Sequence, residues 1–336
     1  MTSTSNFSSK SPSIGVYGCG GCGINIVDLL KKYDEFSNID MVKFDTSTAN
    51  VTSAKDVNIL ASGKGSGKLR LTNAKELKTE LSDIEKYIPK IPEIAIIASS
   101  VSGGSGNVCL TALLSEFANR NAQPVLFLVA DTTSEIDNIN TLYAIDSILQ
   151  SAIVNDIYVP IIIYHNNDNN RNITDVKLMK DLYVFLRMLT VNTYEVDCND
   201  RLNWLNAKKT INAESGVVTM EIYSEYHPDK DSGIFAKNFE DTETYDSVLS
   251  LGLSENNEFR GITKVGRSSR FFKEGINISE DFQYPMIGCI TPSNKELYRI
   301  RGICQSNINK YDKLKKEYNS SKRKITINQD DPNILI

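Results

Sequence analysis

The sequence predicts an α/β protein: a mostly parallel sheet with helices on both faces, followed by a smaller α+β part. Three observations predict it. Short apolar runs alternate with helix-period segments from Ser13 to Val191. Three glycine-rich loops each follow directly on one of those apolar runs. After about Asn206 the pattern gives way to isolated strand-like runs, a loop-rich stretch and one long amphipathic segment.

Taken in order, Ser13 to Tyr17 reads as a strand, and Gly23 to Tyr33 as a helix with Ile26, Val27, Leu29 and Leu30 on its apolar face. Met41 to Phe44 and Val57 to Leu60 read as strands. Lys75 to Tyr87 has an amphipathic pattern, with Leu77, Leu81, Ile84 and Ile88 near helical spacing. Ile94 to Ala98 is a strand of the buried type, and Gly106 to Asn119 a helix. Val125 to Ala130 is a strand, Ile136 to Val154 a helix, Val159 to Tyr164 a strand, and Asp175 to Val191 a long helix. In such sheets the ligand sits at the carboxyl ends of the strands. The loops after Tyr17, Phe44, Leu60, Ala98, Ala130 and Tyr164 are therefore where function is expected. Further on, Val217 to Tyr223 and Met286 to Ile290 read as strands and Asn256 to Ile276 as loop. Asn294 to Ser320 is a helix with Leu297, Ile300, Cys304, Ile308, Leu314 and Tyr318 along one stripe.

The composition narrows the function. The chain has 336 residues, 40% of them apolar and 24% charged, an ordinary soluble balance with material for a core. Its formal net charge of -5 supplies no basic field for nucleic acid, so direct nucleic-acid binding is not expected. The six cysteines are scattered, which fits a reducing cytoplasm. The polar Met1 to Ser11 stretch lacks the pattern of a signal peptide. No apolar run approaches the ~20 residues that span a bilayer, so no membrane partner is expected. Cys19 and Cys22 form C-x-x-C, but with only two histidines and no second pair they read as small residues in a crowded turn, and no protein-held metal is expected.

The first strand runs into GCGGCGIN, where Gly18, Gly20 and Gly23 make a G-x-G-x-x-G at a strand-to-helix turn. With Asp45 closing the next strand, this alone is a dinucleotide-binding fingerprint. Two further loops oppose that reading: ASGKGSGK after Leu60, with Gly65, Ser66 and Gly67, and SSVSGGSGNV after Ala98. A dinucleotide needs one such turn, whereas three at one sheet edge make a cradle for a triphosphate. Ser102, Gly103, Gly104, Ser105, Gly106 and Asn107 offer backbone N–H groups and hydroxyls at a helix start, where the dipole favours an anion. The Walker pattern is absent from the sequence.

SVSGGSGNV resembles the tubulin signature G-G-G-T-G-[ST]-G, with Ser102, Ser105, Asn107 and Val108 as departures. GCGGCGIN is similar to the opening loop of FtsZ, including the following Asn25. The Gly-Gly-Ser-Gly form and a strand ending in Phe44, Asp45 and Thr46 resemble the phage tubulins of the PhuZ group. The likeness runs from about Ser13 to Asn203. It implies a Rossmann-like GTPase domain over 13–173, binding GTP or GDP with Mg²⁺. It further implies a central helix and catalytic loop over 174–205, a smaller α+β domain over 206–292, a helix over 293–324 and a tail over 325–336. Residues 1–12 are expected to be disordered.

The resemblance also implies site roles. Glu195, Asp197 and Asp200 are similar to the N-x-D-x-x-D loop of FtsZ, which inserts into the adjacent subunit's site and orients the attacking water. Phosphoryl transfer is mainly positioning plus charge management, and a carboxylate suits it as acceptor for that water. Cys19, Gly20, Gly21 and Cys22 would contact phosphate. Asn166 matches the guanine-reading Asn, and Thr174 or Asp175 lies where a second base contact is expected. Glu135 is either a ribose partner or a solvent-facing residue. The implied partner is a second copy of the chain, in a head-to-tail filament. The tail, with Asp330 and Asp331, would dock on the neighbouring subunit. A plasmid-partitioning tubulin, a static non-hydrolysing polymer and a nicotinamide-dependent oxidoreductase stand as alternatives.

Overall fold

Alternate side chains of a strand face opposite sides of a sheet, and in the central strands here both sets are apolar. Such strands must be covered twice, and they are. The computed structural model describes residues 11–50, 56–72, 74–166, 171–190, 198–206, 214–223, 248–253, 259–265, 286–291 and 294–322. Glu195, Asp197, the segment 1–10 and the tail 325–336 lie outside them.

The strands are β1 (Ile14–Cys19), β2 (Asp40–Asp45), β3 (Val57–Ile59), β4 (Ile94–Ser100), β5 (Gln123–Ala130), β6 (Tyr158–His165), β7 (Gly216–Tyr223), β8 (Val248–Leu253), β9 (Phe259–Val265) and β10 (Met286–Thr291). The helices are α1 (Gly20–Leu30), α2 (Ala74–Leu81), α3 (Ser105–Asn119), α4 (Glu135–Val154), α5 (Arg171–Thr190), α6 (Cys198–Leu205) and α7 (Lys295–Lys322). The strands form one ten-stranded sheet in the order β3-β2-β1-β4-β5-β6-β7-β10-β8-β9. From β3 to β7 every pairing is parallel, and β10, β8 and β9 add antiparallel. The chain beyond Asn206 thus extends the same sheet.

The layers follow from the alternation. Ile94 and Ile96 of β4, with Val125 and Phe127 of β5, pack under α1, α5 and α6. Ala95 and Ile97, with Leu126 and Leu128, pack under α2, α3, α4 and α7. Leu178, Leu182, Phe185 and Leu189 seat α5 across the first face. On the second face α7 runs antiparallel along α4: Arg301 Nε lies 3.1 Å from Asp146 Oδ1, and Asn307 Nδ2 donates to Asn138 Oδ1 at 3.1 Å. The apolar stripe of α7 is buried through Leu297, Ile300 and Cys304, whereas Leu314 and Tyr318 are exposed.

Three expectations are corrected. The helix predicted over Lys75 to Tyr87 ends at Leu81 and resumes as a single turn at Ile84–Lys86; Ile84 and Ile88 still pack inward. The stretch read as loop over Asn256 to Ile276 contains β9, held by antiparallel pairing to β8. Part of the acidic loop is the short helix α6, whose Trp204 and Leu205 are fully buried.

Candidate functional site

Strand β1 pairs with β2 on one side and β4 on the other, so the connections diverge at its carboxyl end and leave a crevice there. A cavity of about 310 Å³ occupies it. Its wall includes the expected Cys19, Gly20, Gly21, Cys22 and Asn25, then Ser102, Gly103 and Gly106, then Asn166 and Asp175. A larger groove of about 770 Å³ runs outside α2, α3 and α4, lined by residues such as Leu71, Thr111 and Gln150; of the three glycine loops only Val108, at the end of the third, reaches it.

The glycines explain how the loops come so close. Gly20, at φ +68°, lets β1 turn into α1 without a linker, and a Cβ there would lie 2.9 Å from the Gly106 Cα. A Cβ on Gly104 would lie 2.1 Å from Ser66 Oγ. Ser105 Oγ bonds Ser66 Oγ at 3.2 Å and also Thr46 Oγ1, so one hydroxyl cluster joins all but the first loop. Gly65 and Gly67 adopt positive φ in the second loop, and Gly65 N donates to Thr46 O at 2.6 Å. Gly18 packs against the Gly23 carbonyl, which a Cβ would approach to 2.5 Å.

Two helix starts at the cavity favour an anion. Helix α1 and helix α3 both begin without a side-chain cap and without an acidic residue in the first turn. Their first N–H groups have no intrahelical acceptor, and the dipole end is positive. Helix α4 begins the opposite way, capped by Ser134 and carrying Glu135 and Asp137. Two further cations line the cavity. Lys68 Nζ donates to Asp137 Oδ1 at 2.9 Å, and Arg171 Nη2 to Asp131 Oδ2 at 2.9 Å. Burial opposes ionisation of Asp131, but the Thr133 hydroxyl and amide, with Arg171, hold it below the usual carboxylate range.

At the other end of the cavity, Cys22 Sγ donates to Asp175 Oδ1 at 3.4 Å. Burial pushes Asp175 up, while bonds from Cys22 and Asn25 and the charge of Arg171 work against that rise. Burial, then the neighbouring Asp175, keeps the Cys22 thiol protonated. Asn166 N is anchored on Ala130 O at 2.8 Å, yet its Oδ1 is buried with no partner among the described residues. A buried acceptor left open in a cavity wall is what a ligand N–H would satisfy.

Other expected residues are spent inside the protein. Asp45 is buried and accepts from Thr46 N at 2.7 Å and Ser47 N at 3.2 Å, which turns it away from the ribose role of a dinucleotide fold. Asn107 is fully buried and donates to Val101 O and Asn140 O at 2.7 and 2.8 Å. Glu135 pairs with Lys315 of α7. Lys68, Asp131, Asp137 and Arg171 escaped the sequence reading. Asp131 carried a signal, since it directly follows Ala130 at a strand's carboxyl end.

The described end of the acidic segment, Cys198 to Asn206, lies elsewhere. Arg201 Nη1 donates to Ser11 Oγ at 3.5 Å, just ahead of β1, and Trp204 packs at a tilt against Phe185 late in α5 with ring centroids 6.0 Å apart. Helix α6, with Asp200 in its backbone, therefore sits at the amino edge of the sheet. The six residues of β1, about 20 Å of strand, separate that edge from the cavity.

No family model matches the chain, and neither does any curated protein. Solved structures do. The TubZ protofilament of bacteriophage PhiKZ aligns over 90% of this chain and 92% of its own, at 16% identity and TM-score 0.71. The GDP form of the phage tubulin PhuZ aligns over 91% and 93%, at 18% identity and TM-score 0.70. A CetZ protofilament from Haloferax volcanii with GTPγS bound aligns over 89% and 99%, at 11% identity and TM-score 0.61. These likenesses show a shared architecture.

Proposed function

We propose that this chain, built on the tubulin/FtsZ-type fold, is a GTPase that polymerises head to tail and completes its active site only when a second copy stacks on the cavity. The observation that carries this reading is the separation of the cavity and helix α6, which holds Asp200, to opposite edges of one sheet. A chain cannot bring Asp200 to its own cavity, but a translated copy presents that edge to it.

The wall fits a guanine nucleotide. The uncapped starts of α1 and α3 and the glycine backbones suit the phosphates. Asn166 Oδ1 suits a base N–H, with Asp175 as a second acceptor. Glu135 would meet the ribose only on releasing Lys315. Among the described residues no group of three metal-ligating side chains occurs. Mg²⁺ would accordingly ride on the phosphates, as it commonly does, where it would neutralise their charge. Glu195, Asp197 and Asp200 of the stacked copy would accept a hydrogen bond from water and aim it at the γ-phosphorus. The likeness to phage tubulins supports a role in placing phage DNA or a replication compartment in the host cytoplasm. In this reading the tail 325–336 docks on the next subunit.

The test is GTP turnover per subunit against protein concentration, with electron microscopy of the same samples. Turnover should rise with concentration and follow the filaments. Asp200→Ala should abolish turnover while filaments persist. A rate per subunit constant at every concentration would sink the proposal.

A further inference from the structure

The second glycine loop begins and ends on a strained residue. Ala61 and Lys68 take positive φ, which is unfavourable for a residue with a Cβ, whereas Gly63, Gly65 and Gly67 adopt it freely. Contacts from outside help to hold the Lys68 end. One tie is Asn140 on α4, whose Nδ2 donates to Lys68 O at 2.9 Å and to Ser102 O at 3.0 Å. Another lies two residues beyond Lys68. Arg70 Nε donates to Asn107 Oδ1 at 3.0 Å, and its Nη2 to Ser147 Oγ at 2.6 Å. The guanidinium also lies over the Tyr143 ring, 5.9 Å from its centre.

We infer that Arg70 is a positioning residue for nucleotide binding, clamping the second glycine loop onto the third through Asn107 and anchoring both to α4 at Ser147. The inference rests on the guanine-nucleotide reading above. Asn107 is fully buried and spends its amide N–H groups on Val101 O and Asn140 O, so its Oδ1 needs a donor. Arg70 supplies it. The tubulin signature has Ser or Thr at this place, side chains shorter than the Asn107 amide; the clamp therefore belongs to this sequence. Arg70 lines the outer groove and not the nucleotide cavity, so it acts through the loops it joins. A lysine keeps the charge but lacks the planar fork that serves two acceptors at once.

The probe is mant-GDP binding to the full chain, with GTP turnover and thermal melting, for wild type, Arg70→Ala, Arg70→Lys and Ser147→Ala. Both Arg70 variants should bind mant-GDP about tenfold more weakly, because a buried acceptor loses its charged donor. Their KM for GTP should rise while kcat at saturating GTP and high protein concentration holds within about twofold. Ser147→Ala, a small change outside the cavity, should weaken binding about threefold, and it carries the test if the Arg70 variants do not fold. Wild-type affinity in Arg70→Lys would mean that charge alone suffices, and would overturn the inference. So would unchanged affinity in Ser147→Ala. A wild-type chain that binds no mant-GDP would overturn the guanine reading and this inference together, a result distinct from either.

Discussion

Gly103 and Gly104 are neighbours with opposite surroundings, and that contrast tests the cavity. A Cβ built on Gly103 meets nothing within 4 Å, and the residue lines the cavity at a φ outside the left-handed region. A Cβ on Gly104 falls 2.1 Å from Ser66 Oγ, 2.9 Å from Ser66 Cβ and 3.0 Å from the Lys68 carbonyl carbon. Gly103→Ala should therefore leave the nucleotide-free protein as stable as before, or up to ~1 kcal/mol more so, since the unfolded chain loses freedom. In the proposed nucleotide site the added methyl would occupy space through which a phosphate would reach the backbone. Losing one charge-assisted hydrogen bond there costs about 1.5–3 kcal/mol, or roughly 10- to 100-fold in affinity. Gly104→Ala should instead destabilise the nucleotide-free protein by about 1–3 kcal/mol, because the second and third loops must part. Thermal melts without nucleotide and calorimetric titration with GDP separate the two. Wild-type GDP affinity in Gly103→Ala would refute the phosphate assignment. Equal destabilisation by both changes would refute the packing argument.

Two further outcomes are expected. Asn166→Ala removes a buried Oδ1 that has no partner among the described residues, so stability should hold while GDP affinity falls about tenfold and the margin over ADP narrows in competition titrations. Burial raises Asp181 to about 6, against the help of Tyr164 and Lys177; its unfolded value is about 3.9. The stability it contributes is complete below about pH 4 and is lost as pH rises through about 6, at most about 3 kcal/mol. Urea melts at pH 4.5 and 7.5 should show that slope, and Asp181→Asn should flatten it.

Most of the parallel sheet was legible because its strands are short apolar runs between glycine turns, the pattern strongest in Ile94 to Ala98. The close approach of the glycine loops was legible for a similar reason: backbone approach needs glycine, and glycine is visible in sequence. Boundaries shifted where the turn itself became helix, as at Gly20. The ion pairs Lys68–Asp137 and Arg171–Asp131 were not legible, because their members meet only through tertiary folding. The inward turn of the Asn107 amide was not legible for a related reason: its acceptors, Val101 O and Asn140 O, are set only by the tertiary fold. Helix α6 was hidden by its composition. CNDRLNWL opens with helix-disfavouring residues, and burial of Arg201, Trp204 and Leu205 overrides that local preference.

The parallel strands run from the edge that holds α6 to the edge that holds the cavity. Copies joined through those edges would have their backbones aligned with the axis of the stack. A pull along it would then load the ladders β1–β4, β4–β5 and β5–β6 in shear, with many hydrogen bonds resisting together rather than opening one by one like a zip. Such a subunit would be stiffest along the axis of the stack.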